Sequence, residues 1–301
     1  MKGTVLITGS DGFTGRYVAQ KFYREGWEVW GSGLKPADLS NKYAHIDLLN
    51  PNTLNIIGTK IRPDVVIHLA AVSFVAEENA SAYYQVNVLG TKHLLDALSK
   101  GGHSPRKIMI ASSAAVYGNA GQRHINENHT LAPVNDYGVS KVAVEHLART
   151  YCDRLPITVV RPFNYTGVSQ RLNFVIPKIV GHFRERRKTI VLGNLDVSRD
   201  VSDVRDIANI YFELSQVDGT YEALNLCSGV SYSLENIMRT CQELSGHALE
   251  VMVGAHLVRD REIKHLCGDR ARIQELLGLK PPRSIEDTLG WMLENPTLEQ
   301  I

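Results

Sequence analysis

The sequence is poor in cysteine, in charge of one sign and in long apolar runs. Its four cysteines, Cys152, Cys227, Cys241 and Cys267, form no C-x-x-C pair and match no zinc spacing. They read as reduced, mostly buried thiols of a cytosolic protein, not as a disulfide framework. Lys and Arg number 33 against 32 Asp and Glu, a formal net charge of +1. That balance excludes a protein held to nucleic acid or to an anionic membrane by bulk charge. No apolar run approaches the ~20 residues that a bilayer-spanning helix needs. The stretch up to Gly12 holds a short apolar run and then turn residues, unlike a secretory signal. The eleven histidines show no H-E-x-x-H and no cluster, so no metal is expected.

What is present is the texture of an α/β enzyme. A chain of 301 residues predicts about two domains, or one large α/β unit with an appended lobe. Apolar runs at Thr4–Thr8, Glu28–Gly31, Val65–Leu69, Lys107–Ala111 and Ile157–Arg161 are continuous, not alternating. Such runs predict strands buried on both faces. Helix-period segments lie between them, from about Thr14 to Arg24, Ser81 to Lys100 and Asp136 to Arg154. Strand and helix in repeated alternation predict a Rossmann-type doubly wound parallel sheet. After Arg161-Pro162-Phe163-Asn164 the pattern becomes irregular. The expected division is a dinucleotide-binding domain over 1–165, with 201–228 returning to it. A smaller mixed α/β substrate lobe then covers 166–200 and 229–301.

Gly9-Ser10-Asp11-Gly12-Phe13-Thr14-Gly15 follows the first strand and opens a helix. Glycines there let backbone N–H groups approach a pyrophosphate, and the helix N-terminus adds partial positive charge. Gly9, Asp11, Gly12, Phe13, Thr14 and Gly15 are therefore candidate cofactor contacts. The end of the second strand, Gly31-Ser32-Gly33-Leu34-Lys35, lacks the acid that an NAD-preferring site places there. Ser32 and Lys35 become candidates for a 2′-phosphate, and NADP(H) the expected cofactor, with NAD(H) as the alternative. Ser113 ends the strand at Ala111, and Tyr137 and Lys141 are four apart, on one helix face. An ammonium beside a phenol favours the phenolate, and a nearby hydroxyl can polarise a carbonyl. The trio suits proton transfer at a carbonyl or alcohol oxygen.

At these residues the chain resembles the extended short-chain dehydrogenases/reductases, in their nucleotide-sugar-modifying branch. The likeness extends to Asp47-Leu48, His68-Leu69-Ala70-Ala71, Asn87-Val88-Leu89-Gly90-Thr91 and Arg161-Pro162-Phe163-Asn164. In the later part, Gly193-Asn194-Leu195-Asp196, Arg199-Asp200, Asp203-Val204-Arg205-Asp206, and Arg259 with Glu262 are similar to the group of GDP-mannose 4,6-dehydratases and GDP-4-keto-6-deoxy-mannose reductases. Asp260 stands where that group has proline.

The resemblance implies that Asp47, Leu48, Leu69, Ala70, Ala71, Asn87, Tyr137 and Lys141 contact the cofactor. It implies that Asn164, Arg199 and Arg259 hold the diphosphate of a nucleotide sugar and that Glu262 takes ribose hydroxyls. Ser73, Ser113, Val175 and Lys178 are further substrate-side positions. His68 reads as part of a buried strand end. The helices near 81–100 and 136–154 resemble those that form a four-helix homodimer contact.

Related 4,6-dehydratases carry an acid at the position of Ala115. Ala114 and Ala115 can neither take nor give a proton, which disfavours dehydration. The expected activity is NADP(H)-dependent reduction of the C4 keto group of a nucleotide-linked 4-keto-6-deoxy-hexose. It is expected to be GDP-linked and to give GDP-D-rhamnose or a related deoxyhexose. The alternatives are a 4-epimerase with tightly held NAD and, further off, a dehydratase or a non-catalytic sensor on the same fold.

Overall fold

The computed structural model describes residues 2–36, 38, 40–73, 79–121, 124–258 and 263–296. Two compact units emerge. The first takes the chain up to Gly118, Thr130–Pro162 and Ala208–Asn225; the second takes Asn119–His129, Phe163–Ile207 and the chain from Leu226.

In the first unit the strands are β1 (Thr4–Thr8), β2 (Glu28–Gly33), β3 (Tyr43–His45), β4 (Val65–His68), β5 (Lys107–Ala111) and β6 (Ile157–Pro162). A further strand, Leu224–Leu226, adjoins β6, and the order across the sheet is Leu224–Leu226, β6, β5, β4, β1, β2, β3. Neighbours from β3 to β6 run parallel. The order reverses between β1 and β4, so the ends of these strands flank the switch point where doubly wound sheets bind ligands.

The Val/Ile runs explain the burial. Leu6, Val66, Ile108, Ile110, Ile157 and Val159 pack with Leu94, Leu95, Leu98, Val144 and Ala148 from the covering helices. Each of the Val, Leu and Ile side chains contributes roughly 1.5–3 kcal/mol when fully buried. β3 was not visible as a periodic signal, since three residues are too few to show one.

Helix α1 spans Phe13–Arg24. The segment expected as one helix near 81–100 is helical from Ala80, but Tyr83–Leu89 is a π-helical stretch before Gly90–Lys100. The helix Asp136–Arg149 begins on Asn135, whose side chain accepts from the Gly138 N–H at 2.8 Å. Asp136 in its first turn and His146 and Arg149 in its last complement the helix dipole.

The second unit is a mixed α/β structure. Its strand Ser198–Asp203 pairs antiparallel with Ser231–Ser233 and parallel with Asn164–Thr166 and His265–Leu266. Thr189–Leu192 and Glu250–Val253 form a separate parallel pair. Ile176, Ile179, Phe183, Ile237, Leu289 and Met292 supply its core from three helices. Among the described residues, no helix is long and apolar enough to cross a membrane.

Candidate active site

The glycine loop is shaped by close approach. Gly9 has φ +70°, and a Cβ there would lie 2.8 Å from the backbone of Ala70. Its N–H donates to Ser32 O at 2.9 Å, which ties the loop to β2. A Cβ on Gly15 would collide with Gly9 O, so only glycine lets α1 sit this close to the loop. Gly12 caps α1 with no side chain over the first turn, and that turn carries no acidic residue. Backbone N–H donors at a helix N-terminus whose first turn carries no acid fit a diphosphate.

At the end of β2 the structure changes two expectations. Ser32 is only 1% exposed. Its hydroxyl is buried, with no hydrogen-bond partner among the described residues, and is not open to a solvent-borne phosphate. The acid missing from β2 is also present in space. Asp11, from the glycine loop, places Oδ2 3.1 Å from where a Cβ on Gly33 would lie. Tyr43 of β3 donates to that oxygen at 2.6 Å, and Lys35 Nζ reaches Asp11 Oδ1 at 3.2 Å. Sequence spacing points to the end of the second strand for such an acid, whereas the fold brings one across from the first turn.

The other expected cofactor positions line the first unit. Asp47 is half-buried, with Oδ1 accepting from the Leu49 N–H at 2.9 Å. Leu48 is buried, and its carbonyl accepts from His93 at 2.7 Å. Leu69, Ala70 and Ala71 leave the end of β4 half-buried. Asn87 is buried in the π-helical stretch. It accepts from Val72 N at 2.8 Å and donates to Val72 O and to Ser140 Oγ, each at 3.1 Å. Its amide therefore clamps the loop after β4 to the helix that bears Tyr137.

His68 lies between Thr8 Oγ1 (2.7 Å) and Thr91 Oγ1 (2.9 Å). Thr91 Oγ1 gives its proton to Asn87 O, so it must accept from His68 Nε2–H. Thr8 then donates to Nδ1 while accepting from the Ala70 N–H. Burial holds this imidazole neutral, with its pKa down to about 3, and the nearby Lys141 charge acts in the same direction.

Ser113, Tyr137 and Lys141 all belong to the first unit. Ser113 caps the short turn Ala114–Tyr117, its Oγ accepting from the Ala115 N–H at 3.1 Å. That bond uses a lone pair and leaves the hydroxyl proton to donate. A Cβ on Gly138 would lie 2.8 Å from Ala115 O. Glycine beside Tyr137 thus lets the helix start against the turn that carries Ser113.

Lys141 is buried, donates to Ala111 O at 2.7 Å and sits 5.9 Å from the centroid of the Tyr137 ring. Desolvation pulls its pKa down to about 8, opposed by the charge of Glu145. Tyr83 stacks obliquely on Tyr137 at 5.9 Å between centroids.

Beneath the trio lies a buried polar network. Arg161 grips Glu145 through Nε at 2.9 Å and Nη2 at 2.6 Å. Ser112 Oγ donates to Glu145 at 2.5 Å; Arg161 Nη1 donates to Tyr117 OH at 2.9 Å, and that hydroxyl to Asn225 at 2.7 Å. The signal for Glu145 was legible, since it follows Lys141 by one turn. Its partner on β6 was not.

The expected substrate residues are placed mainly on the second unit. Asn164 is exposed on its strand. Val175 is exposed at the start of the helix Val175–Arg184, and Lys178 on the same helix donates to Val191 O at 2.6 Å. Arg199 Nη1 donates to Ser198 O at 3.0 Å and Lys264 O at 3.3 Å. Its neighbour Asp200 is buried and accepts from Ser228 N (2.9 Å), Ser228 Oγ (2.7 Å), Gly229 N (2.9 Å) and Gly268 N (3.2 Å). That knot fixes the strand bearing Arg199. Ser73 is exposed in the first unit. Arg259 and Glu262 lie outside the described residues.

The sequence pattern of the GDP-mannose 4,6 dehydratase family matches residues 6–292. The chain belongs to this family. It is an enzyme, an oxidoreductase of the short-chain dehydrogenase/reductase type.

Among its relatives, a GDP-6-deoxy-D-talose 4-dehydrogenase of Aggregatibacter actinomycetemcomitans is 34% identical over 91% of each chain. A GDP-6-deoxy-D-mannose reductase of Pseudomonas aeruginosa is 30% identical over 98% of this chain and 97% of its own. Among solved structures, a candidate epimerase from Burkholderia cenocepacia J2315 is 38% identical, with TM-score 0.89 over 97% of each chain. RMD from Pseudomonas aeruginosa, complexed with NADPH, is 28% identical, with TM-score 0.85 over 97% of this chain and 98% of its own.

Proposed function

We propose that this family member reduces the C4 keto group of a nucleotide-linked 4-keto-6-deoxy-hexose. The substrate is GDP-linked in this reading, and the product is GDP-D-rhamnose or a related deoxyhexose. The observation that carries it is the buried Lys141 ammonium against the Tyr137 phenol, in the same unit as the glycine loop and the Ser113 turn. The similarity to a GDP-6-deoxy-D-talose 4-dehydrogenase and a GDP-6-deoxy-D-mannose reductase supports it.

A nicotinamide dinucleotide, NADPH or NADH, supplies the hydride when bound. The glycine loop and the open start of α1 hold its diphosphate. Ser113 donates to the C4 carbonyl oxygen and draws electron density from the carbon. Tyr137 releases its proton to the same oxygen as the C–O double bond becomes an alcohol. Lys141 stabilises the phenolate left behind and is positioned by Ala111 O. Ala114 and Ala115 offer no acid or base for water elimination.

Asn164, Val175, Lys178, Arg199, Arg259 and Glu262 serve the nucleotide sugar in this reading, with arginine forks suited to phosphate oxygens. A homodimer formed through the helices around 80–100 and 136–149 accompanies it, supported by exposed Tyr84, Leu89 and Val139. A cytosolic location accompanies it too.

The test mixes the purified enzyme with GDP-4-keto-6-deoxy-D-mannose and NADPH or NADH. The expected result is one reduced cofactor oxidised per sugar reduced, with UDP, dTDP and CDP analogues reacting more slowly. Isomerisation of a 4-hydroxy sugar with no net cofactor consumption would replace the reductase with an epimerase.

A further inference from the structure

Dinucleotide-binding sheets ordinarily read the adenosine ribose with an acid at the end of the second strand, or a 2′-phosphate with a cation there. Here β2 ends on Gly33 without an acid, yet the Asp11 carboxylate occupies the adjoining space. It is held from two sides, by Tyr43 OH on Oδ2 and Lys35 Nζ on Oδ1. Arg16 Nε donates to Asp11 O at 3.1 Å and steadies the backbone. The Asp11 side chain remains 38% exposed and Lys35 68% exposed, so both stay accessible to a ligand. A carboxylate can accept about four hydrogen bonds, and Tyr43 and Lys35 use two.

We propose that Asp11 and Lys35 are the pair by which this chain discriminates between the two nicotinamide dinucleotides. Asp11 accepts from the 2′- and 3′-hydroxyls of the adenosine ribose, and Lys35, once released from Asp11, pairs with a 2′-phosphate. This rests on the oxidoreductase reading, because the ligand concerned is that reading's cofactor. Tyr43 is a positioning residue that fixes the Asp11 rotamer through its hydroxyl. The ion pair is exposed, and exposed pairs are worth little, so opening it costs little when a phosphate arrives. A 2′-phosphate and the Asp11 carboxylate repel, whereas a ribose diol and the carboxylate bind. The two residues therefore act in opposite directions on the two dinucleotides.

The test is equilibrium binding of NAD⁺ and NADP⁺, by calorimetry and without substrate, to the wild type, Asp11→Asn and Lys35→Ala. Asp11→Asn is expected to weaken NAD⁺ by about tenfold, the worth of a charge-assisted hydrogen bond, while NADP⁺ binds as well or better. Lys35→Ala is expected to weaken NADP⁺ by about tenfold and to leave NAD⁺ within roughly threefold. Equal shifts of both dinucleotides in either variant would overturn the discrimination and leave the oxidoreductase reading standing. A wild type that binds neither dinucleotide would overturn that reading and the discrimination with it.

Discussion

Two ion pairs of the first unit have the same chemistry and opposite surroundings. Arg161–Glu145 lies near Ser113, Tyr137 and Lys141 with side chains 3% and 4% exposed; Lys35–Asp11 lies at the rim of the glycine loop, 68% and 38% exposed. In the buried pair Glu145 also accepts from Ser112, and Arg161 also donates to Tyr117, whose hydroxyl donates on to Asn225. The exposed pair keeps unused hydrogen-bonding capacity and a weak hold. Burial assigns the first to positioning and frees the second for ligands.

The largest effect should come from breaking the buried pair. Arg161→Met leaves the Glu145 carboxylate buried without its cation, and about 3–5 kcal/mol of stability should be lost in urea unfolding. Loss below 1 kcal/mol would place Arg161 with Lys35 and erase the contrast.

Buried groups that titrate extend the contrast to pH. His68 has a folded pKa near 3 against 6.5 ordinarily, so between these values the unfolded chain binds the extra proton. Stability therefore falls as pH is lowered below 6.5, and His68→Gln should flatten this fall between about pH 6.5 and 5. Lys141, with a folded pKa near 8 against 10.5, gives the same sign in another window. As pH rises from 8 towards 10.5 the wild type should gain stability relative to Lys141→Met. Parallel pH–stability curves for wild type and variant would count against the desolvated charge in either case.

The smallest effect belongs to the rim. Lys35→Ala should change unfolding stability by less than about 1 kcal/mol, while weakening NADP⁺ in the binding experiment proposed above. A larger loss would mean that the exposed pair is structural.

What could be read from the sequence follows from how local each signal is. β1, β4, β5 and β6 were visible because strands buried on both faces must be apolar throughout. The glycine loop and the Tyr137/Lys141 pair were visible because each lies within one turn of chain. Asp11 was read only as one member of the glycine loop, since aspartate is also an ordinary turn residue. Its role depends on β2 and β3 arriving beside it. Arg161 was visible as part of a motif, but its grip on Glu145 spans two elements. The second unit showed little because its strands are short, as with Ser231–Ser233 and His265–Leu266, and periodicity needs length. The burial of Ser32 is not legible from the strand end alone, because it depends on what packs over that position in the fold.

The most direct measurement is single-turnover oxidation of bound reduced cofactor by a 4-keto GDP-sugar, comparing wild type with Tyr137→Phe across neutral pH. The account predicts slowing by roughly 10²–10⁴-fold, the ordinary worth of a positioned general acid, with cofactor binding retained. A rate for Tyr137→Phe within about tenfold of wild type, below that range, would contradict proton delivery by this phenol.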